Sequence, residues 1–184
     1  FIDETRIGGF DDLLEYFGKP KPPKKTTTYK PIIALFSIGL LLAISITWLQ
    51  LDAIFNFKTI EWFISISMVL LGLQKLMDLE RFTTMFLTYD LLAQRWVRYS
   101  YIYPFVEAGA GLMMIVGVLN WISAPAAFFV ASIGAVSVFK AVYVDKRDLK
   151  CACVGGDSNV PLGFVSLTEN LMMVGMAIWM ITKT

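Results

Sequence analysis

At residues 31–50 the chain reads PIIALFSIGLLLAISITWLQ, a stretch of twenty residues without Asp, Glu, Lys or Arg. An α-helix of about 20 apolar residues is long enough to cross the hydrocarbon core of a bilayer. Over the whole chain, 57% of the residues are hydrophobic and only 17% are charged. This composition is typical of membrane proteins rather than of soluble domains. The stretch therefore predicts a transmembrane helix in an all-α membrane protein.

Four further apolar stretches follow the first one, at residues 59–79, 99–119, 122–144 and 164–181. Each is close to the length that a transmembrane helix needs, so the sequence predicts five spans. Small residues in the third and fourth spans permit close packing of helices. These residues are Gly109, Ala110, Gly111, Gly117, Ala131, Gly134 and Ala135.

Lysine and arginine are distributed unevenly between the two sides that five spans create. One side holds Arg6, Lys19, Lys21, Lys24, Lys25, Lys30, Arg81, Arg95, Arg98, Lys146, Arg147 and Lys150. The other side holds only Lys58 and Lys183. Since basic loops stay on the cytoplasmic side, we predict a bacterial inner-membrane protein whose N-terminus and cysteine-containing loop are cytoplasmic and whose C-terminus is periplasmic.

Two segments outside the spans have distinct patterns. Apolar residues recur at helical spacing between residues 81 and 98 and predict an amphipathic helix on the membrane surface, with a lengthened third span as the alternative. They are Phe82, Met85, Phe86, Tyr89 and Trp96. Residues 19–30 read KPKPPKKTTTYK and predict a semi-rigid linker that touches anionic headgroups.

The first 17 residues, FIDETRIGGFDDLLEYF, predict two short strands, a Gly-Gly break and a helix that begins at Asp11. Residues 1–18 resemble the C-terminal end of a glutaredoxin, in which this turn and the helix N-terminus hold a carboxylate of glutathione. The resemblance implies glutathione as a ligand and places Gly9, Asp11 and Asp12 at the matching positions. A piece of this size cannot bury a hydrophobic core of its own. We therefore expect that it belongs to a longer protein or packs against another part of the molecule.

The membrane part carries a second set of motifs. They are GLQKLMD at 72–78, YDLL at 89–92, PFVE at 104–107 and DLKCACVGG at 148–156. Through them, residues 59–182 resemble the MauE branch of the DoxX-like membrane proteins, with the first span as an addition. The family pattern at the cysteines is CGCFG, so Ala152 and Val154 are departures that are expected to change the loop. The resemblance implies a role in thiol–disulfide chemistry.

Cys151 and Cys153 are the only cysteines, and the chain contains no histidine. Nearby basic residues favour the reactive thiolate, and a disulfide in so short a loop would be strained and easily exchanged. Three interpretations remain open: a redox pair, a soft-metal site for Cu(I), and inert packing thiols. Two thiolates without histidine do not complete a tetrahedral zinc site, and no resident metal is predicted.

Four ionisable residues fall within the predicted spans: Lys75, Glu107, Lys140 and Glu169. Ionisable residues inside a bilayer are candidates for function. We predict a polar cluster beneath the cysteine loop, in which Glu107 pairs with Lys75 or Lys140 and passes protons during thiol exchange. The alternative is that the lysines reach to the membrane surface and the glutamates are only hydrogen-bonded near it. Asn170, beside Glu169, is expected to serve helix packing.

Three functions follow from these observations. The leading one is thiol–disulfide exchange between the cysteine loop and a glutaredoxin-type domain, in support of the maturation or redox control of a protein partner; whether the chain is itself an oxidoreductase stays open. The second is a non-catalytic accessory subunit of a larger respiratory or photosynthetic membrane complex. The third is copper handling, although ordinary packing explains the methionines of the last span better. A net charge of +1 gives no reason to expect nucleic acid as a partner.

Overall fold

The computed structural model describes residues 17–18, 29–52, 56–147, 149, 151 and 160–183. These residues form an all-α membrane fold, as predicted. The helices are α1 (Lys30–Leu51), α2 (Phe57–Met77), α3 (Leu79–Phe86), α4 (Val97–Val116), α5 (Asn120–Phe139) and α6 (Phe164–Lys183). A π-helical turn, Lys140–Val144, extends α5. The glutaredoxin-like segment with Gly9, Asp11 and Asp12, and nearly all of the linker, lie outside the described residues.

Four helices are long and apolar enough to cross a membrane: α1, α2, α5 with its π-helical turn, and α6. The fifth predicted span, α4, does not meet this standard, because Arg98, Glu107 and several tyrosines lower its mean hydropathy. Its exposed face is nevertheless apolar and includes Ile102, Phe105 and Leu112. An apolar outer face suits contact with lipid, so this face favours five spans, and the five-span count stays a prediction.

The prediction of one surface helix over residues 81–98 is wrong. Helix α3 ends at Phe86, turns follow to Arg95, and α4 begins at Val97. The same break excludes a continuous lengthened third span. Phe82 and Phe86 of α3 are buried against Tyr103 of α4, with ring centroids 6.0 and 4.8 Å from the Tyr103 ring. The apolar face of α3 therefore covers the bundle interior rather than lying in lipid.

The break between α3 and α4 is built around Asp90. The Asp90 side chain is fully buried, and its Oδ1 accepts hydrogen bonds from the backbone N–H groups of Leu92 and Ala93 at 3.0 and 2.8 Å. The adjacent Leu91 N–H donates to Ser137 Oγ on α5 at 3.0 Å. These bonds hold the chain in a turn and fasten the turn to the bundle.

Replacing Asp90 by alanine is expected to lower the free energy of unfolding by about 1–2 kcal/mol, because two buried N–H groups lose their acceptor. Asp90→Asn keeps a hydrogen-bond acceptor and should lose less stability.

Burial raises the pKa of the Asp90 carboxyl above its usual value of 3.8. The folded state then binds the proton more tightly, so this contribution to stability is complete below about pH 3.8 and is lost as pH rises through the folded pKa. Thermal unfolding in detergent across this range should show a flatter pH dependence for Asp90→Asn, and an alanine variant as stable as the wild type would contradict the assignment.

Small residues let α4 pack closely on α2. A Cβ atom added at Gly111 would lie 2.8 Å from the carbonyl oxygen of Ser65 and 2.9 Å from Met68 Cβ. A Cβ atom at Gly72 would lie 2.8 Å from Ala108 Cβ. Gly134 likewise lets α5 pack closely on α6, because a Cβ atom at this position would collide with the side chain of Asn170. The prediction of close packing is therefore confirmed at Gly111 and Gly134.

Two other glycines of the same prediction do not mediate helix packing. A Cβ atom at Gly109 would meet nothing within 4 Å. Gly117 ends α4 in a left-handed conformation with φ 73°, where a residue without Cβ is favoured.

Ion pairs at both ends of the bundle show that α2 and α6 are antiparallel. At one end, Glu61 Oε1 near the start of α2 accepts hydrogen bonds from Lys183 Nζ and Trp179 Nε1, both at 2.8 Å, near the end of α6. At the other end, Lys75 of α2 meets Glu169 near the start of α6. The segment that contains Cys151 leads into α6 at this second end, which we call the cysteine end.

Candidate functional site

Cys151 lies at the neck of the cysteine loop, the segment that leads into α6. Its side chain is fully buried and it is disulfide-bonded. The only other cysteine in the chain is Cys153, which lies outside the described residues. Two backbone hydrogen bonds join the chain segments on either side of the neck. Cys151 N donates to Val160 O at 2.8 Å, and Leu162 N donates to Leu149 O at 2.7 Å. The neck therefore holds Cys151 in a fixed position.

The surroundings of Cys151 are apolar except on one side. Ile32 of α1 and Val160 are buried with it, and Phe36 and Val165 pack against this cluster. On the polar side, the Cys151 sulfur lies 3.0 Å from the hydroxyl oxygen of Ser166 in the first turn of α6. A serine hydroxyl can both donate and accept, so it can donate a hydrogen bond to the sulfur.

Three ionisable side chains from three helices meet in the interior near the cysteine end. Lys75 Nζ of α2 lies 2.8 and 2.6 Å from the two carboxylate oxygens of Glu107 on α4, and 3.0 Å from Glu169 Oε1 on α6. The side chains are 3%, 0% and 5% exposed, respectively. We call Lys75, Glu107 and Glu169 the buried triad.

The structure thus brings together Lys75 and Glu107, one of the two pairings that the sequence suggested, and adds Glu169. Lys140 is not part of the triad, because it lies exposed on the π-helical turn. Lys75 is buried and does not reach the membrane surface, whereas for Lys140 this alternative stays a prediction. The catalytic role predicted for Lys75 and Glu107 stays a prediction.

The charges of the buried triad do not balance if every group is ionised. Two carboxylates and one ammonium leave one negative charge in a low-dielectric interior, where an uncompensated ion costs several kcal/mol. One proton shared among the carboxyl groups makes the triad neutral. Glu107 contacts the ammonium with both oxygens, whereas Glu169 contacts it with one. Both carboxyl groups therefore lie in position to share this proton.

A small cavity of about 10 Å³ is lined both by members of the triad and by Ser166, the residue that contacts the Cys151 sulfur. Its polar lining is provided by Lys75, Tyr89, Tyr103, Ser166, Glu169 and Asn170. The buried Asn170 Oδ1 has no hydrogen-bond partner among the described residues. A cavity of this volume has room for about one water molecule, and polar groups of this kind are what a buried water binds.

Ser166 was not identified from the sequence, and Asn170 was assigned only to packing. The Asn170 side-chain amide donates to the backbone carbonyl of Ser166 at 2.7 Å. Ser166, Glu169 and Asn170 are spaced three and four residues apart, which places them on one face of a helix. This spacing relative to Glu169 is the signal in the sequence that could have identified Ser166.

The metal-binding hypothesis concerns two groups of described residues, the acidic and cysteine side chains and the methionines of the last helix. They contain no group of three or more His, Cys, Asp or Glu side chains that could hold an ion. Met173 and Met176 of the last helix are buried in the main apolar core. Their position fits the packing role expected for the methionines of this span.

Comparison with known proteins agrees with the membrane part of this description. Residues 51–183 match the family described as "Methylamine utilisation protein MauE". The chain belongs to the MauE family. The matched range contains Cys151 and the whole buried triad, and it begins at the last residue of α1. The MauE-like part thus starts after the first helix. The chain shows no match among curated proteins and none among solved structures.

Proposed function

We propose that this MauE-family membrane protein exchanges a disulfide between Cys151 and Cys153 with a dithiol of a partner protein. The observation that carries the proposal is a disulfide-bonded Cys151 that lies against the Ser166 hydroxyl, next to the buried triad. A purely packing cysteine would have no need of these polar neighbours. Copper binding would need thiolate ligands, which a disulfide does not offer.

The reaction begins on the sulfur of Cys153, because Cys151 is fully buried. A partner thiolate forms a bond to Cys153, the bond between the two cysteines breaks, and its electron pair stays on the Cys151 sulfur. The second partner thiolate then attacks the partner sulfur of this mixed disulfide and releases Cys153. The partner dithiol becomes a disulfide, and the cysteine pair gains two electrons and two protons.

The position of α1 supports a partner domain near the cysteines. Ile32, in the first turn of α1, packs in the same buried cluster as Cys151. The start of α1 therefore lies close to Cys151, and the segment that resembles a glutaredoxin precedes α1 in the sequence. A glutaredoxin-class dithiol is the partner that this arrangement favours, and the excess of basic residues at this end favours a cytoplasmic location.

The exchange is tested by trapping a mixed disulfide. We expect Cys151→Ser, which leaves only Cys153, to form a covalent adduct with a purified glutaredoxin-class protein whose second cysteine is replaced by serine. Cys153→Ser, which leaves the buried Cys151, should form at least about tenfold less adduct because thiol reactivity requires access. Non-reducing electrophoresis and intact mass measure both products.

The double variant without cysteines is the control for nonspecific adducts. Equal adduct with both single variants would contradict attack on Cys153. If neither variant forms an adduct, and the wild-type disulfide does not oxidise the dithiol protein, the exchange proposal fails. The non-catalytic accessory role would then be the better description.

A further inference from the structure

We propose that Glu169 and Ser166 form a proton path that protonates the Cys151 sulfur when the disulfide opens. The buried triad stores the proton, Glu169 delivers it, and Ser166 passes it to the sulfur. The inference rests on the proposed exchange and assigns to it two residues that have no role in the steps described above.

The need for a proton donor follows from the burial of Cys151. When the disulfide opens, the electron pair leaves a negative charge on a sulfur that is packed against Ile32, Val160 and Val165. A thiolate in apolar surroundings is destabilised, and solvent has no direct access to this atom. The Ser166 hydroxyl, 3.0 Å from the sulfur, is the polar group in position to donate a proton.

The residues that deliver the proton lie on one face of α6. Glu169 lies one helical turn after Ser166, and both line the water-sized cavity. A single water there can link the Ser166 hydroxyl to the Glu169 carboxyl, with the unpartnered Asn170 Oδ1 as a further hydrogen-bond acceptor. The ionisable groups that face this cavity from other elements are Lys75 of α2, Tyr103 of α4 and Tyr89 of the turn before α4. Glu107 of α4 faces Glu169 across the Lys75 ammonium, which both carboxyl groups contact.

Charge placement makes the transfer favourable. Without transfer, the negative charge stays on Cys151 in an apolar cluster. After transfer, the charge resides on Glu169, whose Oε1 lies 3.0 Å from the Lys75 ammonium. The bond that breaks is O–H on the carboxyl and the bond that forms is S–H on Cys151, with the hydroxyl of Ser166 giving one proton and receiving another. The proton returns to the triad when the cysteine pair is oxidised again, so the cycle is balanced.

The path is tested by the rate at which dithiothreitol reduces the purified oxidised protein in nanodiscs, measured by thiol labelling across neutral pH. The rate is divided by the concentration of dithiothreitol thiolate, which removes the titration of the reductant. For the wild type we expect the corrected rate to fall as rising pH removes the proton that the buried triad shares. In Glu169→Gln and Ser166→Ala we expect the corrected rate at the lower pH to drop by about tenfold or more, with little remaining pH dependence.

Matched variants separate a proton path from a structural effect. Ser166→Thr keeps the hydroxyl and should keep the wild-type profile. Ser137→Ala removes another fully buried serine hydroxyl, and Glu61→Gln removes an ion-paired carboxylate at the opposite end of the bundle. Both controls should retain the pH dependence.

A second measurement does not depend on variants that fold. Infrared difference spectra of the wild-type protein, recorded before and after reduction, should show a change in the C=O band of a protonated carboxyl group. Unchanged carboxyl bands, or wild-type profiles in both Ser166→Ala and Glu169→Gln, would overturn the proton path while exchange itself continued. Failure to trap any partner adduct would instead overturn the exchange.

Discussion

Lys75→Met is expected to lower the free energy of unfolding by about 3–5 kcal/mol, because it removes the cation from between two buried carboxyl groups. Glu107 and Glu169 both contact the Lys75 ammonium and are 0% and 5% exposed. Neither carboxylate has solvent to replace the lost partner. Methionine has nearly the volume of lysine without its charge, so packing is largely kept. Unfolding of the purified protein in mixed micelles, followed by circular dichroism, measures the loss.

Two comparisons show whether charge rather than shape causes the effect. Lys58→Met removes a cation from an ion pair with Glu61 at the bundle surface, where Lys58 is 56% exposed, and should change stability by no more than about 1 kcal/mol. Lys75→Met combined with Glu107→Gln and Glu169→Gln makes the whole triad neutral and should regain much of the stability. A single Lys75→Met variant as stable as Lys58→Met would show that the triad is not held together by its charges.

Sequence reasoning located the long helices because apolar length is a local property of the chain. The predicted spans 31–50, 59–79, 122–144 and 164–181 agree with α1, α2, the extended α5 and α6 to within a few residues. The same reasoning failed between residues 81 and 98. An apolar helical face looks alike in sequence whether it covers lipid or protein, and the turn depends on the contact of the Asp90 region with Ser137, which is distant in sequence.

The site was predictable only in part, for a related reason. A lysine and a glutamate inside apolar spans are visible in any sequence, and their burial makes pairing the expected outcome. Nothing local distinguishes Lys75 from Lys140, however, and only the packing of α2 against α4 places Lys75 beside Glu107. Ser166 is harder still to predict, because serine hydroxyls are common in apolar helices. Its possible role depends on contact with the sulfur of Cys151, fifteen residues earlier in the chain.

Gly111→Val is expected to lower the free energy of unfolding by about 3 kcal/mol, because its Cβ alone would stand 2.8 Å from the Ser65 carbonyl oxygen. A backbone atom cannot rotate away as a side chain can, so α2 and α4 must separate. Gly109→Val is the matched control, since a Cβ atom there meets nothing within 4 Å. We expect this control to stay within about 1 kcal/mol of the wild type in the same unfolding experiment.

The effect of Gly111→Val should extend to the buried triad. Gly111 lies one turn after Glu107 on α4, and Gly72 lies one turn before Lys75 on α2, so both close contacts lie beside the 2.6 Å ion pair, on the same side of it. Separating the helices should lengthen this ion pair, which predicts that Lys75→Met destabilises the Gly111→Val background by less than it destabilises the wild type. Equal losses in the two backgrounds would mean that helix spacing and the triad are independent.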